Sequence, residues 1–312
     1  MERSPSPEIL CLGEAMLEFV RTGPPGSATW LCGVGGDTSN AAVAAARQGA
    51  RVGYLTALGA DRFADRLVEF WNAEGVDSRY VARMADAPTG VYFIDPDPEG
   101  RFFTYYRDGS AASRMAPASL PRDAIAAAQI LHLSGITLAV SEDLRATAFE
   151  AMHVARSSGT YVSVDTNLRL KLWSAQSARI TIERAMAFAD LCVTSVDDSK
   201  ELLGINDPAQ IARHYHDLGP ALVLVTLGAE GCHLSRDGLA SHIAPAAADP
   251  IDSTGAGDSF AGSFLAWWLE LDDPVEAARH AAIVAAGTVS GLGATAPIPR
   301  RDDVLAIVAK SR

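Results

Sequence analysis

The sequence predicts an α/β protein built on a doubly wound, mostly parallel sheet with helices on both faces. Short apolar runs alternate with helical stretches from Val52 onward, the order that buries a parallel sheet between two helical layers. One of those runs, Ala221-Leu222-Val223-Leu224-Val225, is apolar at every position, as expected of a strand covered on both faces. Finally, Ile251-Asp252-Ser253-Thr254-Gly255-Ala256-Gly257-Asp258-Ser259-Phe260 is a glycine-spaced turn that runs into an apolar helix over residues 259–271. Such a turn aims backbone N–H groups into one concavity at the positive end of a helix and suits an anion.

Composition bounds the function. The 312 residues allow one or two domains, and 48% hydrophobic against 21% charged residues is an ordinary globular balance. A net charge of -12 and the lack of a basic stretch argue against a nucleic-acid partner. Cys11, Cys32, Cys192 and Cys232 are widely separated, which predicts buried reduced thiols and a cytoplasmic location. The polar start of the chain and the absence of about 18 uninterrupted apolar residues predict neither a signal peptide nor a membrane span.

Taken in order, Ile9-Leu10-Cys11-Leu12 ends at Gly13-Glu14 and reads as a first buried strand. Residues 16–34, with Glu18, Arg21 and a Gly23-Pro24-Pro25-Gly26 turn, read as extended chain leaving the core. Gly35-Gly36-Asp37-Thr38-Ser39-Asn40 leads into an alanine-rich helix over 41–49, where Asn40 could be the cap. Residues 52–58 read as a strand and 65–74 as a helix with Leu67, Phe70 and Trp71 on one side. Two aromatic runs, 91–94 and 102–106, joined by Asp95-Pro96-Asp97-Pro98-Glu99-Gly100, read as a hairpin that forms a small second sheet with residues 17–31. His132, between leucines on a buried strand, reads as a core histidine. The strand 161–165 ends in Asp165-Thr166-Asn167-Leu168-Arg169, at the strand end where open α/β sheets take ligands, although a plain turn with a surface ion pair would use the same residues. Thr226-Leu227-Gly228-Ala229-Glu230-Gly231 is a glycine-rich strand exit, and residues 277–293 form a further alanine-rich helix.

Two uses are open to Asp258. It could cap its helix, or it could act as a general base that takes a proton from a hydroxyl attacking a phosphate held by the neighbouring amides. No Gly-x-x-x-x-Gly-Lys-Ser/Thr run occurs, which disfavours a P-loop enzyme.

The nine residues 252–260 resemble the C-terminal signature of the ribokinase-like (PfkB) carbohydrate kinases, and Gly35-Gly36 with Asn40 resembles their N-terminal Gly-Gly-x-x-x-Asn element. The resemblance implies a single ribokinase-like domain over 1–312, with a lid formed by insertions at about 15–34 and 89–107. It implies ATP and Mg2+ as cofactors and association into a homo-oligomer through the lid. Gly255, Ala256 and Gly257 would form the anion hole, with Asp258 the base. Gly36, Asp37 and Asn40 would hold sugar hydroxyls. Tyr105-Tyr106-Arg107 with Gly109-Ser110-Ala111, and Asp165-x-Asn167-x-Arg169, are similar to the 2-keto-3-deoxygluconate kinase branch. That branch implies a sugar acid contacted by Tyr92, Tyr105, Arg107, Ile136 and Arg169. Asp165, Asn167, Thr226, Gly228, Ala229 and Gly231 would lie on nucleotide together with Gly255 and Gly257. Asp198, which stands with Ser195 where the family has Asn-x-x-Glu, and Asp252 would serve the metal-phosphate end. Where the family has an asparagine near adenine this chain reads His280-Ala281-Ala282, so no adenine contact is assigned. A fructokinase or ribokinase, a nucleoside kinase and a catalytically silent sugar or nucleotide sensor are the alternatives.

Overall fold

The computed structural model describes residues 6–23, 26–97 and 100–310; Pro24, Pro25, Pro98 and Glu99 of the two expected turns lie outside them. Six strands run parallel through the middle of the larger sheet, in the order Val52–Gly59, Ile9–Leu12, Ile130–Ser134, Tyr161–Asp165, Leu191–Ser195 and Leu222–Thr226. Cys232–Arg236 and Leu239–Ile243 extend one edge antiparallel, and Val76–Asp77 and Val81–Met84 pair with Val52–Gly59 at the other.

Adjacent residues of the central strands serve different layers. Leu222 and Leu224 pack among Trp71, Phe264 and Val284, whereas Val223 and Val225 pack among Leu144, Ile182 and Ile211. Both layers exclude water, so every position must be apolar, which is why this run does not alternate. The first layer is built by the helices Asp37–Arg47, Arg62–Ala73, Ala256–Leu271 and Pro274–Val289, and the second by Glu142–Ser158, Ala175–Met186, Val196–Leu203 and Pro208–Leu218.

The Asp37–Arg47 helix starts four residues before the expected 41. Asn40 is therefore its fourth residue and not its cap; Gly36 takes that place with φ 111° and no side-chain bond. Asp37, Thr38 and Ser39 are weak helix formers in an interior but suit a first turn, where an acidic group meets the positive end of the dipole.

The second sheet runs Trp30–Gly35, Met16–Arg21, Val91–Asp97, Gly100–Tyr106. Its register sets Glu18 opposite Tyr92, and Tyr92 opposite Tyr105, so all three side chains share one face. Cys11, Cys192 and Cys232 are buried free thiols as expected, while Cys32, on this sheet, is only half-buried. Among the described residues no helix is long and apolar enough to cross a membrane.

Candidate active site

Asp258 lies where three elements meet. Its helix opens at Gly255, whose φ of 77° is left-handed and whose missing Cβ would stand 2.6 Å from the Ala294 carbonyl oxygen. Asp258 is the third helical residue and does not cap; no side-chain cap is made there. The Ser259 amide bonds back to Gly255 at 2.8 Å, and Ala256 N turns to the Ser253 carbonyl at 3.3 Å. The amides of Gly257 and Asp258 are thus the first-turn donors left to face outward, and the space beside Gly257 is open.

The Asp258 carboxylate accepts at both oxygens: from Asn40 Nδ2 at 2.8 Å and from Asn167 Nδ2 at 3.0 Å. Burial, then the nearby Asp37 carboxylate, push its pKa up to about 6, against the pull of the Asn40 amide, Arg169 and the Asn167 amide. Asp37 is buried and accepts from Ser134 Oγ; burial raises its pKa as well, with Arg169 and Arg107 both pulling it down. Asp165 is raised as well, by burial and by the fields of Asp258, Asp198 and Asp37. Three carboxylates from three elements therefore share one poorly hydrated region, and a group in that setting can exchange a proton near neutral pH.

The second sheet, expected to be a lid, borders the same region, with Tyr92 within electrostatic reach of Asp258. Tyr92 and Tyr105 stack with ring centroids 5.5 Å apart, and the Tyr92 hydroxyl donates to the buried Glu18 at 2.5 Å. Arg107 Nη2 stands 2.5 Å from Glu14 Oε2, and Glu14 Oε1 accepts from Ser110 Oγ at 2.5 Å. Arg107 and Glu14 thus form a buried ion pair, and Nε of Arg107 has no hydrogen-bond partner among the described residues. Burial raises the Glu14 pKa, and Arg107 and Ser110 oppose it. Arg169 is exposed, donates to the Leu168 carbonyl at 2.8 Å, and makes no ion pair among the described residues. Ile136 is half-buried in the short Gly135–Ala139 helix, behind the Ser134 that bonds Asp37.

The remaining candidates sit farther along the strand ends. Thr226 Oγ1 donates to the Thr194 carbonyl at 3.2 Å, and residues 228–230 form a single 3-10 turn closed by Gly231. Asp198 Oδ2 accepts from Thr166 Oγ1 at 2.9 Å and Leu168 N at 3.0 Å, and Ser195 caps its helix. Asp252 accepts from Thr254 N and Oγ1 at 2.9 and 2.6 Å and from Gly293 N at 3.0 Å. Both aspartates thus brace loops. Among the described residues no cluster of three or more His, Cys, Asp or Glu could hold a metal. His132 bonds Ser163 at 3.0 Å and is pushed down to about 4 by burial, as a neutral core residue.

Asp37, Asn40, Asn167 and Asp258 meet directly or through electrostatic contact, with Arg107 and Arg169 in reach of Asp37. Reading residue by residue overlooked Glu14 and Glu18. The period of two along Met16–Arg21 was the usable signal for Glu18, since it puts Glu18 on the same face as the core residue Met16.

The pfkB family carbohydrate kinase model matches residues 6–301. A 2-dehydro-3-deoxygluconokinase of Thermoproteus tenax is 34% identical over 95% of this chain and 93% of its own length. A crystal structure of a PfkB protein from a Polaromonas species superposes with TM-score 0.88 at 30% identity, covering 96% of this chain and all of that one. A fructokinase with bound ATP from Xylella fastidiosa superposes with TM-score 0.89 at 27% identity, covering 97% of this chain and 98% of that one. The parallel sheet with its small separate sheet is the ribokinase-like fold, and the chain belongs to the pfkB family of carbohydrate kinases, phosphotransferases that act on a sugar hydroxyl.

Proposed function

We propose that the chain transfers the γ-phosphoryl group of ATP to the terminal hydroxyl of a keto-deoxy sugar acid, 2-keto-3-deoxygluconate before others. The pair of arginines carries this reading: Arg107 from the lid and Arg169 from the strand-end loop both act on the Asp37 carboxylate, so two cations attend one region. A neutral sugar requires neither, and a substrate carboxylate among Asp37, Asp165 and Asp258 requires at least one. The Thermoproteus relative bears the corresponding name.

Bound ATP supplies the phosphoryl group, with magnesium on its phosphates offsetting their charge. Asp258 takes the proton of the attacking hydroxyl, and the Gly255, Ala256 and Gly257 turn, whose Ala256 amide is used on Ser253, offers the outward amides of Gly257 and Asp258 to the charge that spreads over the phosphoryl oxygens. Gly36 and Asn40 hold sugar hydroxyls, and the buried, unpartnered Oδ1 of Asn40 is an acceptor suited to one. Tyr92, Tyr105 and Ile136 line the sugar, and Thr226, Gly228, Ala229 and Gly231, with Asp165, border the nucleotide. Exposed Leu31, Phe102 and Tyr106 on the lid favour self-association, which sedimentation tests.

One observation favours a neutral sugar such as fructose: Glu14 already compensates Arg107. ADP release with magnesium-ATP, measured against 2-keto-3-deoxygluconate, its galacto epimer, gluconate, fructose and ribose, decides. Strong preference for a keto-deoxy acid is the expected result. Preference for fructose or ribose overturns the acid assignment and leaves the kinase, and no ADP from any of the five brings the silent sensor forward.

A further inference from the structure

Asn167 does something the strand-end motif does not announce. Its amide donates to Asp258 Oδ1 while Asn40 donates to Oδ2, so one carboxylate is gripped from two sides by groups on different elements. On the reading that Asp258 accepts the substrate proton, we propose that Asn167 is a positioning residue for that carboxylate, fixing its plane together with Asn40.

The loop around Asn167 is built to hold the amide still. Asn167 is buried, and its φ of 30° lies in the left-handed region that side chains other than glycine rarely adopt. Asparagine tolerates that region better than other residues with a Cβ, and the surrounding hydrogen bonds fix it here. The Asn167 amide N bonds Asp165 Oδ1 at 3.2 Å, Thr166 N bonds the Val193 carbonyl at 2.9 Å, and Thr166 Oγ1 and Leu168 N both bond Asp198 Oδ2. The acid at 198 thereby aims a residue three elements away from it in the chain, which gives Asp198 a use without a metal.

A carboxylate on its own turns freely about its last bond, and only one orientation points a lone pair along the hydroxyl's line of attack. Two amides on opposite oxygens remove that freedom. They also favour the ionised form, which is the one that can accept a proton. That support is needed because the groups facing Asp258 are mostly of its own sign: Asp37 from the Asp37–Arg47 helix and Asp165 from its strand, with the Tyr92 hydroxyl on the lid side and Arg169 the opposing cation.

The test compares wild type, Asn167→Ala, Asn167→Asp and Asp258→Asn, with the sugar that wild type prefers and saturating magnesium-ATP. It reads kcat, the KM for ATP, the pH dependence of kcat/KM and the melting temperature. Losing the amide raises the pKa of the base, so in Asn167→Ala the acid limb of kcat/KM moves up by about one pH unit and kcat falls about tenfold, while the KM for ATP stays within about twofold. Asn167→Asp moves the limb further, since two carboxylates then share the site. A tenfold rise in the KM for ATP with an unmoved acid limb would make Asn167 a nucleotide ligand and overturn the proposal. A lowered melting temperature with neither kinetic change would do the same by leaving a purely structural role. Near-normal turnover by Asp258→Asn removes the base itself, which separates failure of the functional reading from failure of this one.

Discussion

The two walls of the site are made in different ways. On the core side, backbone sits against backbone: a Cβ at Gly262 would stand 2.0 Å from the Ala41 carbonyl oxygen, so the two helices that carry Asp258 and Asn40 cross with no side chain between them. On the lid side, the contacts are made by side-chain tips. Tyr92 meets Glu18, Arg107 meets Glu14, and Tyr105 and Tyr106 are 40% and 64% exposed. Backbone contacts of the first kind cannot move by an ångström without repacking both helices, whereas exposed tips such as those of Tyr105 and Tyr106 can rotate. The Asp258 carboxylate, the proposed proton acceptor, is therefore fixed by the fold, and on the proposed reading the choice of sugar falls to groups outside that crossing.

That contrast is broken most severely at the acceptor. Asp258→Asn should fold, bind ATP and lose at least about a hundredfold in kcat, the low end of what a positioned base contributes. In wild type kcat/KM should fall as pH drops through about 6, because only the ionised carboxylate accepts a proton and burial with Asp37 has raised its pKa to that point. Rate measurements from pH 5 to 9 check both; a flat wild-type profile would detach Asp258 from the proton step.

The next effect probes the helix crossing. Gly262→Ala places a methyl against the Ala41 backbone, which cannot give as a side-chain tip can. The helices must separate, at a cost of about 1–3 kcal/mol. The Asn40 to Asp258 hydrogen bond should lengthen with them, and kcat should fall roughly tenfold even in the folded fraction, because small displacements of a reacting group are expensive. Thermal unfolding and kcat on the same preparation separate the two effects. A loss of stability with unchanged kcat would mean that the crossing does not set the acceptor's position.

Why the sequence disclosed the core wall better than the lid wall follows from the same contrast. Gly255, Ala256, Gly257 and Asp258 are contiguous, and a turn that aims amides is a local property of the backbone. The apolar run 221–225 likewise declares burial on both faces by itself. By contrast, Asn167 lies 91 residues from Asp258 and Asn40 lies 218. Nothing local says that an asparagine in a strand-end turn and another in a helix will grip one carboxylate. Glu14 and Glu18 were hidden for a second reason: a glutamate near a strand is ordinarily at the surface, and the period of two that sets Glu18 on the face of Met16 tells which face is buried only once Met16–Arg21 is paired with Val91–Asp97. The start of the Asp37–Arg47 helix was missed because its first turn is made of residues whose interior propensity is poor.

On the lid wall the expected effects are smaller and fall on specificity. Arg107→Ala should raise the KM for a sugar acid by about tenfold or more, the worth of a charge-assisted hydrogen bond, and the KM for a neutral sugar by about twofold or less. It also leaves Glu14 buried without its cation, so the melting temperature should fall, and the double variant Glu14→Gln with Arg107→Met should recover part of it. Glu14→Gln alone is the sharpest of these tests. On the proposed reading, a substrate carboxylate competes with Glu14 for the Arg107 guanidinium, whose Nε has no partner among the described residues. Removing the glutamate charge should free that fork and lower the KM for the acid by a few-fold, while kcat and its acid limb, both set across the site at Asp258, stay unchanged. A KM that rises instead would mean that Glu14 holds Arg107 in the pose that receives substrate, and the lid would then be as rigidly specified as the core.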